Sequence, residues 1–167
     1  VPVTPQPPAP EHGGMSWTKR VAAGDFKSVL AEADAMGLVT ALGQAPLADL
    51  VALADAARYT GNVDVARDAL AVQRRRFPAS PDARAAAFLL GRIAENGGAI
   101  DHALTWYDRY LTEAPNGSFA AEALGRRMLA TQRQGAVDRA RSFATEYLKR
   151  FPDGPYADVA RGLAGAP

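Results

Sequence analysis

One short pattern of apolar and polar positions recurs along this chain. Gly24, Gly61, Gly98 and Gly135 stand 37 residues apart, and Pro78, Pro115 and Pro152 keep the same interval. So do the apolar residues Phe26, Val63, Ile100 and Val137, the aspartates Asp64, Asp101 and Asp138, and the alanines Ala66, Ala103 and Ala140. Fixed self-similarity at this spacing is the mark of a helical solenoid or array. Glycine takes the left-handed conformation that ends one helix and turns the chain into the next. The apolar residue then opens the second helix and is expected to point inward. Aspartate puts negative charge in the first turn, where the helix dipole favours it. Alanine lets the paired helix come close, and proline ends the unit.

The pattern predicts nine helices: Met15–Ala23 with Asp25–Met36, Pro46–Thr60 with Val63–Phe77, Pro81–Asn96 with Ile100–Glu113, Ser118–Gln134 with Val137–Phe151, and a last Pro155–Leu163. The fold class is therefore all-α, about four antiparallel helix pairs with a C-terminal helix covering the open end. The repeats are expected over residues 15–167. Ahead of them, residues 1–14 hold five prolines and end in Gly13–Gly14, a composition that reads as an extended linker or spacer.

Composition supports helices. Hydrophobic residues make up 48% of the 167, and many are alanine, the strongest helix former. With 19 basic and 18 acidic residues the net charge is +1, which gives no overall basic excess for nucleic acid. Cysteine is absent, which removes disulfides and thiolate chemistry. No stretch approaches the ~20 apolar residues of a bilayer-crossing helix, so no direct membrane insertion is expected from this segment. The start at Val1 suggests a trimmed or processed chain, and a tether to a membrane could precede it.

These repeats resemble the tetratricopeptide repeat. The first-helix small residue is Ala54 and Gly91, with Met128 in the third unit; the preceding leucine is Leu53 and Leu90, then Arg127. The second-helix aromatic is Tyr107, with Leu70 and Ala144 at the equivalent places. The period exceeds the usual ~34 residues by an insertion around the closing prolines. That spelling is similar to repeat modules of bacterial envelope proteins, such as outer-membrane assembly lipoproteins and Tol–Pal accessory proteins. The run from Ala54 to Gly91 also resembles the C-terminal repeat domains of FecR-type transmembrane regulators. The resemblance implies a superhelix of helix pairs and a periplasmic or cell-envelope location.

Candidate chemistry is sparse. His12 falls in the linker, and His102 sits beside Asp101 at a helix start, where adjacent side chains diverge. No metal-ligand set and no phosphate loop is spelled, so neither a catalytic residue, a metal nor a cofactor is expected. Arg74-Arg75-Arg76 reads as a helix end whose cations oppose the dipole. Arg126–Arg127 reads as a solvated face, and Asn116-Gly117-Ser118 as a turn.

The resemblance implies that the first helix of each pair lines a concave groove. Its outward positions here are Val51, Asp55, Arg58 and Tyr59; Phe88, Arg92, Glu95 and Asn96; and Leu129, Gln132 and Arg133. Aromatics and arginine among them suit an interface. The lysines and asparagines of a terminal-carboxylate clamp are mostly missing, so an extended peptide or a helix is the expected partner. Self-assembly, through repeat ends or through Trp17, Trp106 and Tyr110, is the alternative. An enzyme is the remote one.

Overall fold

The glycine column behaves as its spacing requires. Gly24, Gly61, Gly98 and Gly135 all have φ between 76° and 78°, the left-handed region where a side chain is strained. Each ends one helix and turns the chain into the next. The computed structural model describes residues 16–165, so the proline-rich 1–14 and the expected start at Met15 lie outside the described residues. The described chain forms ten α-helices and falls into two compact units that divide between Gln73 and Arg74.

The first unit contains α1 (Trp17–Ala22), α2 (Phe26–Ala35), α3 (Leu38–Gln44), α4 (Leu47–Tyr59) and most of α5 (Val63–Arg76). Asp25 caps α2 by accepting from Ser28 N at 3.3 Å. Helices α1 and α2 both pack on α4, burying Trp17, Val29, Leu50 and Leu53. The buried Gln73 amide donates to Leu50 O at 2.9 Å, tying α5 to α4. Helix α3 was not expected. Leu38, Ala41, Leu42 and Ala45 follow helical spacing, and the last three are buried. The segment lies where no 37-residue column falls, so the repeat register says nothing about it.

The second unit holds α6 (Pro81–Asn96), α7 (Ile100–Glu113), α8 (Ala120–Arg133), α9 (Val137–Arg150) and α10 (Ala157–Ala164), each packed on the next. Ser80 starts α6 by accepting from Ala83 N at 3.0 Å, with Pro81 at the first helical position. Asp64, Asp101 and Asp138 stand in the first turns of α5, α7 and α9, and Ala66, Ala103 and Ala140 are fully buried. One part of the column reading needs correction. Val63 and Val137 are 51% and 52% exposed rather than inward, because the first residue of each helix precedes the packed stripe.

Large and small residues trade places between the repeats of this unit. Tyr107 of α7 lies against Gly91 of α6, where an added Cβ would meet the ring at 2.6 Å. One repeat on, buried Met128 on α8 corresponds to Gly91, and buried Ala144 on α9 to Tyr107. The volume has moved from one helix to its partner, which conserves the filling of the interface.

A second device recurs unchanged. Tyr110 Oη accepts from Phe119 N at 2.9 Å, and Tyr147 Oη accepts from Tyr156 N at 3.1 Å, each fixing the loop that starts the next pair. Trp17 and Tyr110 are 3% and 2% exposed, so both belong to the core and neither is available between copies.

Candidate interaction face of α6 and α8

The outward stripes of α6 and α8 are joined by a chain of alternating charges. Arg92 donates to Glu122 Oε1 at 3.0 Å, and Arg126 Nε reaches the same oxygen at 2.9 Å. Arg126 also donates to Glu95 Oε2 at 3.0 Å, and Arg133 donates to Glu95 Oε1 at 2.8 Å. Tyr107 Oη closes the set from α7, donating to Glu95 Oε2 at 2.6 Å. Ion pairs of this kind are worth more in a network than singly, because each partner is held in place by the next.

Burial is uneven across this network. The Glu95 side chain is 7% exposed, whereas that of Arg133 is 57% exposed and that of Arg92 37%. Glu95 thus lies beneath the guanidinium groups, Glu122 is half-exposed between Arg92 and Arg126, and the most exposed charge of the set is Arg133. Burial pushes the Glu95 carboxyl upward, but hydrogen bonds from Tyr107, Arg126 and Arg133 outweigh it and hold it below the ordinary carboxylate value. Burial, and next Glu95, push the Tyr107 phenol well up, so it remains the donor. Burial works against the charge on Arg126, yet Glu122 and Glu95 raise its pKa further and keep it ionised. Tyr156 is also raised, chiefly by burial.

The groove residues expected from sequence divide. Arg92, Glu95 and Arg133 are brought together in the charge network, with Asn96 and Gln132 exposed on the same helices. Leu129 is half-buried and packs against the core of the second unit. Phe88 is a correction. It is 1% exposed, stacked on Phe119 at 4.5 Å and close to Tyr107 and Tyr110. It precedes Gly91 by three positions, so it shares the face that packs on α7 and cannot meet a partner.

In the first unit Val51 is half-buried, and Asp55 pairs with Arg58 at 2.8 Å. Tyr59 is 72% exposed, with one ring face stacked on Phe26 at 4.8 Å.

Sequence reasoning missed Glu122 and misread Arg126 and Arg127 as a solvated face. The Glu122–Arg126 spacing of four, acid first, was the available signal. Neither arginine is solvated as expected. Arg127 is 13% exposed, bonded to Asp108 at 2.9 Å and Glu146 at 2.7 Å, with its guanidinium 3.9 Å from the Phe143 ring. Arg74, read as a helix-end cation, makes a bidentate pair with Glu113 at 2.7 and 2.9 Å and donates to Ala83 O at 2.7 Å. Hydrogen bonding from Arg74 is the main cause of the lowered Glu113 carboxyl.

His102 is exposed at the start of α7, and the neighbouring Asp101 accepts from Gln134 at 2.5 Å. Among the described residues no group of three or more His, Asp or Glu converges on a metal-sized site, and no helix is long and apolar enough to cross a membrane. No curated protein matches the sequence. The helix pairs are those of a tetratricopeptide-like repeat, and residues 51–118 match the family model of the tetratricopeptide repeat, whose members generally mediate protein–protein interaction.

Proposed function

We propose that this chain is a protein-interaction scaffold that receives an extended peptide or a short helix on the outward face of α6 and α8. The observation that carries the reading is the layering of charge there. Glu95 is buried beneath arginines, and Arg133 is left outermost, with Arg92 and Glu122 half-exposed and paired beside Asn96, Leu129 and Gln132. A network already paired within the protein holds these side chains in place before a partner arrives, which lowers the ordering cost of binding. The resemblance to envelope and FecR-type repeat domains supports a setting outside the cytoplasm, as part of a bacterial envelope or transmembrane signalling (anti-sigma-like) protein. That setting predicts that the full-length protein fractionates with the periplasm or envelope.

The test uses paired baits in envelope extract: the parent chain and an Asn96→Glu/Gln132→Glu variant. Both positions are exposed, so the variant keeps its helical circular-dichroism spectrum. A protein retained by the parent and lost by the variant supports the reading. Retention by both removes the α6–α8 face from consideration. If neither retains anything and mass rises with concentration, self-assembly replaces it.

A further inference from the structure

The charge network of α6 and α8 has more donors than acceptors. Three guanidinium groups, those of Arg92, Arg126 and Arg133, share two carboxylates, Glu95 and Glu122. A guanidinium offers five N–H donors, and an ionised carboxylate only accepts. Arg92 uses one donor on Glu122, Arg133 uses one on Glu95, and Arg126 uses two. The Nε–H of Arg92 is buried and has no acceptor. The set therefore carries an unbalanced positive charge and unfilled donors, one of them shut off from solvent.

The repeat register sets where those donors stand. Arg133 occupies on α8 the place that Asn96 occupies on α6, and Gln132 the place of Glu95, 37 residues on. Arg92 lies one helical turn before Asn96, on the same stripe. Two arginines and two neutral amides thus border one strip of surface. Asn96 and Gln132 are exposed, and so is more than half of the Arg133 side chain. If Arg133 turned away, Glu95 would keep its bonds from Tyr107 and Arg126. Arg133 is therefore the member that can meet a second anion at the smallest cost to the network.

The wider charge has the same sign. Residues 74–167 carry 14 Lys and Arg against 10 Asp and Glu, whereas residues 1–73 carry 5 against 8. An excess of this sign draws anionic partners toward the second unit.

We propose that the segment received on the α6–α8 face is acidic, with side-chain carboxylates that pair with Arg133 and Arg92. The inference rests on the reading of this face as the partner site and adds the chemistry of what it takes. A carboxylate accepts two parallel N–H bonds from one guanidinium, and so supplies the acceptors that the network lacks. The donors are spread over two helices, so they match carboxylates along a segment rather than a single one at its end. Asn96 and Gln132 are placed to hydrogen-bond the backbone of that segment.

The test is amide chemical-shift titration of the chain with an alternating alanine–glutamate decapeptide, acetylated and amidated at its ends. The same peptide with glutamine or with lysine in place of glutamate is the comparison. The glutamate peptide is expected to give saturable shifts centred on Arg92, Asn96, Gln132 and Arg133. The other two are expected to bind about tenfold more weakly or less, because hydrogen bonds to a charged acceptor are the stronger kind. Affinity for the glutamate peptide is expected to fall several-fold between about 0.1 and 1 M salt, as screening requires. Arg133→Gln is expected to weaken it several-fold. Lys149→Gln removes the same charge from an exposed site on α9 and is expected to leave it unchanged. Equal response to the glutamate and glutamine peptides overturns the acidic partner and leaves the face a peptide site. Equal losses for Arg133→Gln and Lys149→Gln overturn it too, since net charge alone then explains the attraction. No shifts on α6 or α8 with the glutamate peptide also overturn it, and the paired baits judge the face itself separately.

Discussion

The pairs α6–α7 and α8–α9 share a backbone plan and fill it differently. In the first, Gly91 makes room for Tyr107; in the second, the equivalent places hold Met128 and Ala144, both buried in the same core. Another exchange runs in parallel. Phe88 stacks on Phe119 in one repeat, and Gly125 in the next admits the Tyr156 ring against its backbone. What these repeats keep is summed volume across an interface, and residue identity at a position is free to change when its neighbour changes with it.

The largest expected effect breaks that exchange. Tyr107→Ala is expected to cost about 3–5 kcal/mol in urea unfolding, as for other large buried aromatics. Adding Gly91→Met imports the third repeat's solution, so the double variant is expected to lose clearly less than the sum of the two singles. Additive losses would mean that the two interfaces are not interchangeable.

Smaller is Gly91→Ala, which drives a methyl into a fixed ring and is expected to cost about 1–3 kcal/mol. Gly162→Ala sharpens the contrast. Nothing lies within 4 Å of its added Cβ, so on α10 it is expected to stabilise by about 0.5–1 kcal/mol. Thermal melts of the two variants should therefore shift in opposite directions.

The charge network joins the two pairs, α6 to α8, and gives the unit a pH signature. Because the folded-state pKa of Glu95 is lowered, its contribution is fully present above the ordinary carboxylate value of 4.5 and is lost as pH falls through the lower folded value. Glu95→Gln is expected to flatten the acid limb of the stability curve in that window, with a smaller effect than Gly91→Ala above it. An unchanged acid limb would show that Arg126 and Arg133 do not hold the carboxylate in solution.

Much of the fold was legible because it repeats. The left-handed glycines, the first-turn aspartates and the buried alanines each stood in a column, and each column has one physical cause. Helix α3 stood outside every column, and its own apolar spacing at Leu38, Ala41, Leu42 and Ala45 was the signal left unread. The charge network of α6 and α8 was only partly legible. Position on the first helix selected Arg92, Glu95 and Arg133, which share the network, but the same rule also selected Phe88, whose turn of helix faces inward. Pairing between helices, such as Arg126 with Glu95 across 31 positions, depends on how α6 and α8 lie side by side, which no local spacing encodes.

The central claim is that the α6–α8 face meets a protein partner, and site-specific photo-crosslinking tests it most directly. A photoreactive residue would be placed at Gln132 on that face and, in a second chain, at exposed Lys149 on α9. The account predicts one crosslinked partner from position 132 in envelope extract and none from position 149. The same partner captured only from position 149, or equally from both, would contradict it.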